Sequence, residues 1–206
     1  MPKKLVIEIA EGLGNQLFKY AFAHALAKKN NYNLLIDDTS GYSRKKNSLR
    51  DHQIYMLNLF NIDQNIAPSY YKYDNFYKRL KRKIEIFYES LSNKKKFIYE
   101  NKKKINGKKI ASFLDIPGNI NLSNILYISG YFEDENYFKT FKNDFTKMYQ
   151  PLPQYVNNDL KIIDKLKNSN SISIHVRQHR YSEQSHEKKD HFKLKESEKF
   201  LSDLIS

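Results

Sequence analysis

The chain has 206 residues, with 36 lysines and arginines against 23 aspartates and glutamates, a formal charge of +13, and no cysteine. That length can bury a real core as one large domain or one and a half smaller ones. The lack of cysteine excludes disulfides and thiolate metal sites, and no run approaches the roughly 18 apolar residues of a membrane span.

Met1-Pro2-Lys3-Lys4 enters a strand pattern directly, with no signal-peptide core, which predicts a cytoplasmic protein. Leu5 to Ile9 is apolar and β-branched, as in a buried parallel strand. Gly12 and Gly14 then mark a tight turn, and Leu17, Phe18, Ala21, Phe22, Ala25 and Leu26 recur at helical spacing up to Lys29. Leu34 to Ile36 before Asp37-Asp38 predicts a second strand, so residues 5–38 read as one β-α-β unit. From Asp74 onward Phe76, Leu80, Ile84, Phe87 and Leu91 keep a period that predicts a helix with a buried apolar face. Lys78, Arg79, Lys81 and Arg82 fall on its other sides, and it should end near Ser92-Asn93.

Between Lys94 and Lys109 eight lysines accompany one glutamate, with Asn106-Gly107 as a turn signal. This stretch reads as a charged hairpin or mobile insertion, peripheral to the fold. The charge excess from Lys72 to Lys109 would attract polyanions or anionic lipid headgroups, so peripheral membrane contact is expected to come from these lysines. Ile125 to Ile128 predicts a strand, and Tyr137, Phe138, Phe141, Phe145 and Met148 a helix. Pro151 and Pro153 suggest a crossover between domains. A helix around Leu160 to Leu166, a strand over Ile172 to Val176, a polar loop from Gln178 to Asp190 and a last helix from Phe192 to Ile205 complete the pattern.

A glycine turn that leaves a strand and opens a helix lets backbone N–H groups face a phosphate, and Asn15 there offers both a donor and an acceptor. A plain strand-to-helix turn capped by Asn15 accounts for the same residues. His175 and Arg177 end another short strand, where open α/β sheets bind ligands. Arg177 can pair bidentately with a diphosphate, and a fixed cation there would stabilise charge building on a leaving phosphate. His175 reads equally as a catalytic group or as a neutral imidazole packed beneath the site. Glu11 reads as a general base or a solvated loop carboxylate, and Arg180 as a further cation or an exposed side chain. His179, His186 and His191, with Glu183, Glu187 and Asp190, match no zinc spacing and read as a solvated loop. No metal ligand is assigned.

The stretch Gly12-Leu13-Gly14-Asn15-Gln16-Leu17-Phe18-Lys19-Tyr20-Ala21 resembles the N-terminal signature of glycosyltransferase family 11, the α-1,2-fucosyltransferases, usually G-G-L-G-N-Q-[LM]-F-[QR]-Y-A. Ile128-Ser129-Gly130-Tyr131-Phe132-Glu133-Asp134-Glu135-Asn136-Tyr137-Phe138 is similar to the family's L-x-G-Y-F-Q-x-x-x-Y-F. His175-Val176-Arg177 falls where the family has H-x-R-R-G-D-Y. Three departures stand out: Gln178-His179-Arg180-Tyr181 replaces R-G-D-Y, Glu11 stands where the family usually has glycine, and the chain reaches Ser206 where family members continue.

The resemblance implies an α/β, GT-B-like architecture. A Rossmann-like acceptor-side domain would occupy about 1–150, with a basic insertion at about 70–110, and the beginning of a second, donor-binding Rossmann-like domain about 151–206. It implies inverting transfer of L-fucose from GDP-fucose to the 2-hydroxyl of a galactoside glycan, with no metal or other cofactor. Gly12, Gly14, Asn15 and Gln16 would bind the donor, Arg177 would meet its diphosphate, and His175 would act beside it. Whether the 206-residue chain is itself active stays open. One rival is a non-catalytic remnant. The other is a nucleic-acid binder, suggested by the charge and by the Tyr/Lys interleaving from Tyr70 to Lys83. Those aromatics fit the period of a buried helix face and no nucleic-acid motif is present, so nucleic acid is not the expected partner.

Overall fold

A computed structural model of the chain describes residues 2–43, 54–91, 94–100, 121–155 and 160–170. The chain divides into two compact units, Met1–Asn157 and Asn158–Ser206. The first is built on four parallel strands, β1 (Lys4–Glu8), β2 (Asn33–Asp37), β3 (Lys94–Tyr99) and β4 (Asn121–Ser129), in the order β2-β1-β4-β3. Its helices are α1 (Leu13–Asn30), α2 (Phe76–Ser90) and α3 (Lys142–Met148). In the second unit the described residues form α4 (Leu160–Lys167). The protein is thus an α/β protein with a Rossmann-like parallel sheet, and residues 5–38 form the expected β-α-β unit.

Alternation along the strands explains why both faces of the sheet are covered. Leu5 and Ile7 of β1, Ile36 of β2, Ile98 of β3 and Leu126 and Ile128 of β4 join one core with Phe22 and Leu26 of α1. Val6, Leu35, Phe97 and Tyr127 point the other way and pack with Ala67, Tyr73 and Ile86 of α2. Register is set at the centre, where Leu5 lies beside both Leu34 and Leu126, and Ile7 beside both Ile36 and Ile128. On α1 the alanines at 21, 23, 25 and 27 are buried and let the helix lie close to the sheet. Asn31 ends the helix in the left-handed conformation, its N–H bonding to Ala27 O, and Lys28 and Lys29 suit the negative end of the helix dipole.

The Gly130-Tyr131-Phe132 stretch leaves β4 through a sharp turn. Phe132 has φ 55°, and its ring stacks on Phe22 at 3.9 Å between centroids. The Glu100 carboxylate, just beyond β3, accepts hydrogen bonds from the N–H groups of Tyr131 and Phe132, both at 2.6 Å. Gly130 is required here, because a Cβ would lie 2.5 Å from Glu100 Cβ and 2.7 Å from the Phe132 ring.

Three expectations are corrected. The apolar residues of α2 do not face the core: Phe76, Leu80, Ile84, Phe87 and Leu91 are between 48% and 71% exposed. The inward face is charged. Arg82 reaches Glu8 of β1, Glu85 accepts from Tyr73 and Lys96, and Glu89 accepts from the N–H of Phe97 and pairs with Lys95. These partners set the helix's rotation, and the hydrophobic period alone could not. Next, Lys94–Tyr99 is not peripheral but the edge strand β3, anchored by buried Phe97 and Ile98; the remainder of that lysine-rich stretch, 101–109, lies outside the described residues. Finally, the helix expected around Tyr137 to Met148 is broken into two 3-10 turns, Glu135–Tyr137 and Lys139–Phe141, ahead of α3.

Candidate functional site

The carboxyl ends of parallel strands carry unpaired backbone groups and the connections to the next elements, so ligands of open α/β sheets collect there. In this protein each strand ends on a polar side chain: Glu8 for β1, Asp37 for β2, Tyr99 for β3 and Ser129 for β4. A cavity of about 240 Å³ opens at this edge, lined among others by Glu8, Glu11, Lys19, Ser40, Arg82, Ser129 and Tyr131. Two carboxylates, two cations, two serine hydroxyls and two tyrosine rings, those of Tyr73 and Tyr131, converge on it.

Its floor is a buried charge network. The Arg82 guanidinium lies 2.6 Å from Glu8 Oε2 and donates from Nε to the Tyr99 hydroxyl at 3.1 Å. Aromatic rings surround it, with the Tyr127 centroid at 4.6 Å, Tyr73 at 5.3 Å and Tyr99 at 5.4 Å, an arrangement that favours a weakly hydrated planar cation. Burial by itself pushes the Glu8 carboxyl up, but the Arg82 charge, together with donors from Arg82, Tyr127 and Ser129, outweighs it and holds the group below the ordinary carboxylate range. Burial likewise opposes the Arg82 charge, and Glu8 and the Tyr127 phenol outweigh that opposition.

Tyr127 links two strands' carboxylates. Its hydroxyl lies 2.9 Å from Glu8 Oε2 and 2.6 Å from Asp37 Oδ2, so one phenol hydrogen serves two acceptors. Burial first, then the two carboxylates, raise the Tyr127 phenol well above its usual range, which keeps it neutral and a donor. Asp37, fully buried, also accepts from Ser40 Oγ at 2.5 Å, and Ser40 Oγ accepts from the N–H of Tyr73 at 2.7 Å.

The glycine turn sits at the rim. Gly12 is the N-cap of α1, with φ −71° and no side-chain cap. Asn15 Nδ2 donates to the Glu11 carboxylate, so Asn15 ties the turn to Glu11 rather than capping the helix. Gln16 is fully buried. Its Nε2 donates to the carbonyls of Glu11 and Ile54, both at 2.8 Å, and its Oε1 accepts from the Met56 N–H at 2.8 Å. The Gln16 amide therefore pins residues 54–56 against the start of α1 from behind the turn.

The glycines of this edge fall into two kinds. At Gly41 a Cβ would lie 2.3 Å from the Ile9 carbonyl, and Gly130 is as crowded, so packing explains both. At Gly12 and Gly14 no described atom lies within 4 Å of where a Cβ would stand, and neither has a positive φ. Nothing among the described residues requires glycine at these two positions. Glu11, by contrast, has φ 72°, where an L side chain is strained by about 1–2 kcal/mol. Its carboxylate lines the cavity.

Of the sequence-derived candidates, Gly12, Gly14, Asn15 and Gln16 follow directly on Glu11 but are not themselves among the cavity's lining, with Gln16 buried behind the turn, while His175, Arg177 and Arg180 lie outside the described residues. Sequence reasoning missed Glu8, Asp37, Arg82 and Tyr127. The available signal was a carboxylate closing each of the first two apolar strands and a tyrosine between Leu126 and Ile128. No group of three or more His, Cys, Asp or Glu able to hold a metal occurs among the described residues.

The chain is similar to the α-1,2-colitosyltransferase of Escherichia coli, 30% identical over 179 residues that cover 86% of this chain and 55% of that protein. It thus spans about half the length of the curated relative it matches, which by its name is a glycosyltransferase. No family profile and no solved structure matches the chain.

Proposed function

We propose that the protein works in α-1,2-glycosyl transfer from a nucleotide sugar to a glycan hydroxyl, with the cavity at the sheet's carboxyl edge as its acceptor side. The observation that carries this is the pair of uncrowded glycines, Gly12 and Gly14, beside a cavity of interleaved donors and acceptors. Glycine in a helix interior costs up to about 1 kcal/mol relative to alanine, and less in the first turn where Gly14 stands; a ligand lying against the turn supplies a reason for glycine that packing does not. Sugar hydroxyls both donate and accept, which suits Glu8, Ser40, Ser129 and Arg82, and their C–H faces suit the Tyr131 ring. The α-1,2 linkage is common to the relative's name and to the family the motifs resemble.

In the finer reading the donor is GDP-fucose and the acceptor a galactoside, the turn residues Gly12, Gly14 and Asn15 face the donor, with Gln16 bracing them, and Arg177 neutralises the leaving diphosphate beside His175. The relative's name supports a second donor, colitose, which is L-fucose without its 3-hydroxyl. In this reading Glu11, which lines the cavity, takes the acceptor proton. Its charge at the start of α1 would oppose a phosphate seated directly on that helix terminus, so the diphosphate charge falls to Arg177.

Isothermal titration with GDP, GDP-fucose, its 3-deoxy analogue and unrelated nucleotide sugars tests the donor class, and galactosides test the cavity. Gly14→Ala should raise thermal stability yet weaken ligand binding tenfold or more, and Arg177→Ala should weaken nucleotide binding alone. Unchanged binding by Gly14→Ala would remove the glycine argument.

A further inference from the structure

Among the described residues, the outward face of α2 is a feature that the fold does not explain. On a wheel of 100° per residue, Phe76, Leu80, Ile84, Phe87 and Leu91 form, with Tyr77 and Tyr88, one stripe about 120° wide. Tyr77 is 81% exposed and Tyr88 64%. Contiguous apolar surface of this kind marks an interaction site. Its borders are cationic: Lys81 follows one edge, and Arg79 and Lys83 follow the other. The acidic residues of the helix lie off the stripe: Glu85 and Glu89 bond to Tyr73, Lys96 and β3 on the inner side, and Glu85 also pairs loosely with the bordering Lys81 at 3.9 Å. What α2 presents outward is therefore apolar and positive, without a carboxylate in the stripe.

We infer that α2 seats the protein on an anionic lipid surface, its stripe entering the headgroup–acyl boundary and Arg79, Lys81 and Lys83 meeting lipid phosphates. An interfacial helix is recognised by such an apolar face with basic flanks. At 1.5 Å per residue its 15 residues run about 22 Å, too short to cross a hydrocarbon core of roughly 30 Å but suited to lying in its surface. No described helix is long and apolar enough to cross a membrane. A second copy is a poor occupant because it would bring another +13 chain and the same cationic borders into contact. Nucleic acid is also a poor one: Leu80, Ile84 and Leu91 run down the stripe, and aliphatic side chains do not stack on bases. This places membrane contact on α2, and not on the lysine stretch from 94 to 109.

The chain has no tryptophan, so Phe87→Trp provides a single reporter in the stripe. With vesicles of equimolar phosphatidylcholine and phosphatidylglycerol, the full chain should co-sediment and the reporter's emission should move to shorter wavelength; phosphatidylcholine alone should do neither. Adding Leu80→Ser and Ile84→Ser should weaken vesicle binding at least tenfold with an unchanged far-ultraviolet spectrum, whereas replacing Lys102, Lys103, Lys104, Lys108 and Lys109 by Ser should leave the emission shift in place. Because the reporter reads the otherwise native chain, a double variant that misfolds still leaves the emission result decisive. The proposal is overturned if the chain ignores the vesicles, if it binds without an emission shift, if the double variant instead abolishes self-association, or if a single-stranded oligonucleotide perturbs the reporter in place of lipid.

Discussion

Glu11 shows how one residue can be read from both chemistry and conformation. Its φ of 72° is a glycine conformation, and the motif it interrupts ordinarily has glycine there, so the strain and the departure coincide at one position. Glu11→Gly should therefore stabilise the fold by up to about 1 kcal/mol, relief of the left-handed strain being offset in part by the freer unfolded chain. Chemical denaturation measures this directly, and a loss of stability would mean that the Glu11–Asn15 hydrogen bond outweighs the strain. The glycines were legible as a turn in the sequence, but not which of them the fold itself needs. Gly41 and Gly130 are crowded by Ile9, Ala10, Glu100 and Phe132, three of which are remote in sequence. Gln16 was legible as part of a motif, yet its work on the Ile54 and Met56 backbone depends on a segment nearly forty positions away that no local pattern announces.

At the level of elements, α2 is the clearest case of a pattern that predicts a helix without predicting its direction. The spacing of its apolar residues is genuine, and Asn75 caps its start by accepting from the Lys78 N–H at 3.0 Å. Hydrophobic periodicity fixes which residues share a face, but the burial of that face is an assumption. Here Arg82, Glu85 and Glu89 found partners on the sheet, and the apolar face turned outward. Arg82 therefore anchors the helix, and Arg82→Ala should destabilise the protein by about 3–5 kcal/mol, because Glu8 would be left a buried charge without its cation. Arg82→Ala with Glu8→Gln should recover part of that loss in a urea melt; simple additivity of the two would argue against coupling. β3 was hidden for the opposite reason. Its lysines dominate the composition, and only Phe97 and Ile98 carry its burial, a signal too short to distinguish an edge strand from a loop.

For the molecule as a whole, the same inward carboxylates set the response to acid. Glu8 and Glu85 are both held below the ordinary carboxylate range. In each case burial opposes the shift and is outweighed, by Arg82 and hydroxyl donors for Glu8 and by Lys96 and Tyr73 for Glu85. A carboxyl lowered on folding adds stability that is complete above its unfolded value, about 4.3, and is lost as pH falls through its folded value. The urea midpoint should accordingly hold steady from neutral to about pH 5 and fall below it, and Glu85→Gln should make that fall shallower. A midpoint indifferent to acid would show that these pairs contribute nothing net.

The strand order carries a consequence for how the chain acquires its shape. β1 is central, but one of its two neighbours, β4, lies far along the sequence, with Lys4 beside Ile125 and Ile7 beside Ile128. During synthesis the first strand, its helix and β2 emerge together, yet one side of β1 has no partner until β4, whose pairing residues begin at Ile125, has left the ribosome. Contacts of such long range are slow to form. Until β4 arrives, the bare edge of β1 stays open, and the nascent chain depends on its strong positive charge, and on whatever shelters it, to stay out of aggregates.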